Sequence, residues 1–140
     1  MAIDFLERCD VIEECYEFLL GYAAQGLPSD EDSSGSGQVR KHLEQAREAL
    51  MALPDSCRRA IEDHQLEPSE KYDAFCSMLE RDSRDSVAAV DLVLAQPAIS
   101  SQLIDNLNAS THLRALLTDL FLFGEILRTR VSSTPCFTQE

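Results

Sequence analysis

Between Ala2 and Ala24 the chain keeps its acids and its apolar residues on opposite sides of a helix. Projected at about 100° per residue, Glu7, Asp10, Glu14 and Glu17 fall on one stripe, with Glu13 at its margin. Val11, Ile12, Cys15, Tyr16, Phe18, Leu19, Tyr22 and Ala23 occupy the wide opposite face. That separation predicts an amphipathic helix lying on a core. Next comes GLPSDEDSSGSGQ, residues 26–38, where only Leu27 is large and apolar. It can bury little and predicts a flexible acidic Ser/Gly loop.

Residues 39–53 repeat Val39, Leu43, Ala46, Leu50 and Leu53 at helical spacing, and Pro54 is expected to stop that helix. Asp55 would cap a short helix carrying Cys57, Ala60 and Ile61. Another is expected from Ser69 with Tyr72, Phe75, Cys76 and Leu79. Asp82 or Ser83 would cap the next, which holds Val87, Val90, Leu92, Val93 and Leu94. Pro97 ends it and suits the first turn of a helix with Ile99, Leu103, Ile104 and Leu107.

The last helix is expected from Ser110 or Thr111 to about Val131. Leu113, Leu117, Leu120, Gly124, Leu127 and Val131 form one seam, and Leu116, Phe121, Leu122, Phe123 and Ile126 extend the apolar surface around most of the circumference. Such a helix is expected at the centre of a bundle or at a subunit interface. Gly124 would let another helix approach closely, so the seam serves either the core or a homodimer. Residues 132–140 read as a loose tail. No strand alternation survives beside these patterns. The expectation is all-α: one helical domain over residues 1–131, a bundle of four longer helices plus two or three short ones.

Charge narrows the function classes. Twelve basic against 25 acidic side chains leave a net charge of −13, which repels phosphate backbones and argues against direct nucleic-acid binding. A protein partner with a basic surface suits it better. No apolar run reaches the ~20 residues of a membrane span, and Glu125 interrupts the greasiest stretch. Cys9, Cys15, Cys57, Cys76 and Cys136 show no CxxC spacing, and the start MAIDFLERCD is charged where a signal core would be apolar. Free thiols in a cytoplasmic protein are the expectation.

The acidic stripe is the densest chemistry, but a carboxylate-bridged metal site in a bundle calls for Glu-x-x-His motifs, and no His here stands three residues after a Glu. Cys9 and Cys15 point too far apart around one helix to clamp an ion. Neither His42 nor His112 is followed by the cation and glycine that a histidine phosphotransfer module carries. Cys57 beside Arg58 and Arg59, early in a short helix, invites a depressed thiol pKa, yet His64 lies two turns away, too far to act as its base. Burial beside Ala60 and Ile61 is the expectation for Cys57, and a reactive thiol the alternative.

The segment CYEFLLGYAAQGL followed by LEQAREALMALP resembles the helix pair of a tetratricopeptide repeat, with Tyr22, Gly26, Ala46 and Pro54 near the pattern's places. The intervening loop is several residues too long, and no second copy follows at a period of about 34 residues. The resemblance therefore implies no peptide-binding role.

What remains is a non-catalytic, cofactor-free interaction module, an adaptor, regulator or assembly factor. Its candidate contact residues are Glu7, Asp10, Glu13, Glu14 and Glu17. Like charges at this spacing cost ~0.2–0.5 kcal/mol per pair, so a neighbouring arginine (Arg58, Arg59, Arg128 or Arg130) or a basic partner should compensate them. The alternatives are a small metal-binding or enzymatic bundle using these acids with His42 or His64, and an acidic mimic of nucleic acid.

Overall fold

The computed structural model describes residues 2–32 and 37–133, so part of the expected loop, most of the expected tail and Cys136 lie outside the described residues. The described chain is all-α. It contains α1 (Ala2–Ala24), α2 (Gln38–Asp63), α3 (Ser69–Leu94), α4 (Ser101–Ala109) and α5 (Thr111–Ser133), with a 3₁₀ turn at Asp30–Asp32.

Two expected helix breaks are absent. Pro54 lies inside α2, and the expected caps Asp82 and Ser83 lie inside α3. A proline in a helix interior removes one backbone hydrogen bond and crowds the carbonyl four residues earlier, at about 3 kcal/mol. The buried residues on both sides of it, Leu50, Leu53, Cys57 and Ala60, continue one apolar face, and burying that face outweighs the break. α2 ends instead where Gln65 turns left-handed at φ 52 and the Leu66 N–H reaches back to the Ile61 carbonyl. This is the Schellman arrangement with a buried Leu66 beneath it, built on Gln where Gly is usual. Pro97 does not open α4. Ser100 is its cap, accepting the Leu103 N–H at 3.0 Å.

Named contacts give the packing order. Asp4 meets Arg59 and Phe18 meets His42, so α1 and α2 run antiparallel. Cys57 meets Cys76 and Arg47 meets Asp91, which makes α2 and α3 antiparallel. Ser86 donates to the His112 carbonyl at the start of α5, and Phe75 stacks on Phe123. α5 then returns beside α1, where Phe5 meets Phe123 edge-on at 5.2 Å. The short α4 packs on α1 and α5. Phe123, 1% exposed, thus joins α1, α3 and α5 in one aromatic cluster.

Loop residue Asp30 is buried and holds the far end together. It accepts the Ile99 N–H at 2.9 Å and Arg40 Nε at 2.8 Å, while the same guanidinium donates to the Leu94 and Gln96 carbonyls that end α3. Ser101 and Tyr22 add further bonds between the end of α1 and the start of α4.

The helix expected at the centre of a bundle or at a subunit interface packs on one side within this chain. Leu113, Leu117, Leu120, Gly124 and Leu127 of the seam are buried within this chain, while the side chain of Val131 lies outside the described residues. Phe121, Leu122 and Ile126 are exposed, because α5 has neighbours only on its inner side. Within this chain no second helix approaches Gly124 closely among the described residues. A Cβ placed there would meet only the Arg128 side chain of its own helix, at 3.3 Å.

Candidate protein-interaction surface

α1 presents its inner face, Phe5, Cys9, Ile12, Cys15, Leu19 and Tyr22, to the core. The helical period then forces Glu7, Asp10, Glu14 and Glu17 outward, and all four are exposed. Glu13 separates from them. It is half-buried, and burial pushes its carboxyl above the usual range, helped by Asp10 and opposed by Arg128 on the α5 side. Val11, expected on the core face, is instead exposed, as are Ile3 and Leu20. The outer side of α1 is therefore acidic with apolar points in it.

An open groove of about 460 Å³ runs between α1 and α2 beneath this stripe. Glu7, Val11 and Glu14 line it from α1, and Gln45 and Glu48 from α2. Its end near the start of α1 is neutralised. Asp4 accepts from Arg8 Nε at 3.3 Å, Arg59 Nη2 at 3.2 Å and the Ser56 hydroxyl. The Ser56 hydrogen bond, followed by the arginines against the cost of burial, holds the Asp4 carboxyl below the usual range.

Three other arginines are also engaged away from the stripe. Arg58 pairs with Glu80 at 3.0 Å, Arg40 with Asp30, and Arg47 with Asp91. Of the four arginines expected to compensate the stripe, Arg59 reaches only Asp4, and Arg128 faces Glu13 and Cys9. No ion pair forms to Glu7, Asp10, Glu14 or Glu17 among the described residues.

His42 does reach the groove, which helical spacing alone did not predict. Its ring lies flat on Phe18 at 4.0 Å, and its Nδ1–H donates to the Gln38 carbonyl. His64 stands at the end of α2, half-buried. No group of three His, Cys, Asp or Glu converges as a metal cage among the described residues. Cys9 and Cys15 are buried, each pushed up to about 12 chiefly by desolvation.

Cys57 is buried, as expected, and the alternative of a depressed thiol pKa is reversed. Because α2 runs through Pro54, Cys57 sits in mid-helix rather than at a helix start, and it is wholly buried. Its hydrogen bond to Cys76 and its burial both push its pKa up. The chain positions that sequence reasoning missed are Glu48, Asp30 and the Cys57–Cys76 contact. Only Glu48 carried a signal, one turn beyond Glu44 on a helix already expected.

No helix among the described residues is long and apolar enough to cross a membrane. No protein-family model, curated protein or solved structure matches the chain.

Proposed function

We propose that the chain is a non-catalytic protein-interaction module, a helical adaptor, regulator or assembly factor, whose α1 surface and α1–α2 groove receive a basic segment of a partner protein. One observation carries this reading: four exposed acids on one helix face form no ion pair among the described residues, while Arg8, Arg58 and Arg59 pair with other acids. The repulsion among those acids, a few tenths of a kcal/mol per pair, is relieved when Arg or Lys side chains of a partner arrive between them.

From Glu7 to Glu17 the stripe spans about 15 Å, which matches three turns of a facing helix. Val11 and Leu20 supply apolar contact, since charge alone steers association more than it holds a complex. Glu48 widens the acidic surface so that one cationic side chain can be shared between α1 and α2.

The test uses the double variant E14K/E17K as bait against wild type in affinity capture from the native cell, read by quantitative mass spectrometry. Both positions are exposed, so helicity and melting temperature should stay within a few degrees. The salt-sensitive part of the captured set should fall at least several-fold. Equal capture by the folded variant removes the stripe from the account.

A further inference from the structure

Two thiols from different helices meet in the core, away from the α1 surface. Cys57 of α2 is 0% exposed and Cys76 of α3 is 2% exposed, with their sulfurs 3.3 Å apart. That gap exceeds a disulfide bond by only about 1.2 Å, and both side chains already point at each other across antiparallel helices.

Their environments differ. A hydrogen bond joins the two sulfurs, and Arg58 stands near Cys76 as a cation. These two influences outweigh desolvation and the neighbouring acids Asp73 and Glu80, and they hold the Cys76 thiol below its ordinary value. Cys57 is pushed the other way by the same hydrogen bond and by burial. Cys76 is therefore the nucleophile of the pair and Cys57 the resolving thiol. Arg58 and Glu80, whose paired side chains are half-exposed, are both close enough to act electrostatically on Cys76.

We propose that Cys57 and Cys76 are a redox-modification site, closing to a reversible intramolecular disulfide with hydrogen peroxide as oxidant. The Cys76 thiolate attacks one peroxide oxygen, the O–O bond breaks, hydroxide leaves, and Cys76 becomes a sulfenic acid. The Cys57 sulfur then attacks the Cys76 sulfur. The S–O bond breaks, and the Cys57 proton leaves with the hydroxyl group as water. The hydroxide from the first step takes up the proton that Cys76 had released. Two thiols lose two electrons, and one peroxide becomes two waters. The bond fastens the second half of α2 to the first turns of α3, independently of any partner on α1.

The experiment treats the folded wild-type chain with a modest excess of hydrogen peroxide, blocks remaining thiols with an alkylating agent, and maps peptides by mass spectrometry. Circular dichroism before and after shows whether the helices persist. The expected result is a linked Cys57–Cys76 peptide, two fewer alkylated thiols, unchanged helicity, and full reversal by dithiothreitol. In C57A, which adds no polar group to the core, Cys76 loses the sulfur–sulfur hydrogen bond but keeps Arg58 nearby, and it should instead be trapped, more slowly, as a dimedone-reactive sulfenic acid. Five thiols left intact, or a bond to Cys9, Cys15 or Cys136 in place of this one, would overturn the proposal. So would a bond that forms only once the helices have melted.

Discussion

Replacing Asp119 with Asn removes a proton-binding group from the contact between α3 and α5 while keeping its shape. Asp119 is only 3% exposed, its carboxyl is hydrogen-bonded to Asp82, and its Oδ2 makes no hydrogen bond among the described residues. Burial first, then the Asp82 hydrogen bond and charge, raise its pKa from 3.8 to about 8. At neutral pH the folded chain therefore keeps a proton on Asp119 that the unfolded chain has given up.

The sign follows from that difference. The stability attached to this proton is fully present below 3.8, falls as pH rises, and is gone once pH passes about 8. Each pH unit inside that window is worth about 1.4 kcal/mol, so between pH 5 and pH 8 the wild type should lose roughly 4 kcal/mol through this group, as an order of magnitude. In D119N the amide donates to Asp82 at every pH, and this loss disappears.

The assay is urea unfolding of both proteins at several pH values from 5 to 8, compared as the difference between them, which cancels the other titrating groups. D119N should gain steadily on wild type as pH rises. At about 3 °C per kcal/mol for a chain of this size, the gap in melting temperature should widen on the order of 10 °C. Parallel stability curves for the two proteins would refute the reasoning, because they would mean that Asp119 binds no extra proton on folding.

Two further perturbations probe what holds the helices in place. D30A strips the Ile99 N–H and Arg40 of their shared acceptor and should cost about 2–4 kcal/mol in urea unfolding at neutral pH. Burial alone would raise the Asp30 carboxyl, but the Ile99 N–H and Arg40 outweigh it and hold it below 3.8. Its contribution is thus present above that value and lost in acid, so the gap between D30A and wild type should shrink as the pH falls through the acid range. L120D places a charge where Leu120 is 2% exposed within the chain itself. It should cost more than about 4 kcal/mol and abolish the helical circular dichroism signal. A folded L120D of unchanged melting temperature would contradict the intramolecular seam.

The candidate surface was partly legible because direction around a helix is a local property. Once Phe5, Cys9, Ile12, Cys15 and Leu19 face inward, Glu7, Asp10, Glu14 and Glu17 have no choice but to face out. Whether cations meet them there was not legible, since Arg58 and Arg59 lie far along the chain and their partners, Glu80 and Asp4, are set by how α2 lies on α3 and α1. Val11 and Glu13 show the limit at the stripe's edges: one is exposed and the other half-buried because α2 and α5 cover different widths of α1.

The amino-acid sequence by itself determined that this chain is helical, where α1 and α5 begin, and which faces are apolar. Those features follow from periodicity and capping, which involve residues a few positions apart. Tertiary structure alone decided that α2 passes through Pro54 and that α3 ignores Asp82 and Ser83, because a buried face running past each point outweighs a local stop signal of a few kcal/mol. It also decided that Asp30 is buried, that Asp82 meets Asp119 and that Cys57 meets Cys76. Each of those contacts joins two separate segments, and its energy exists only after the helices have come together.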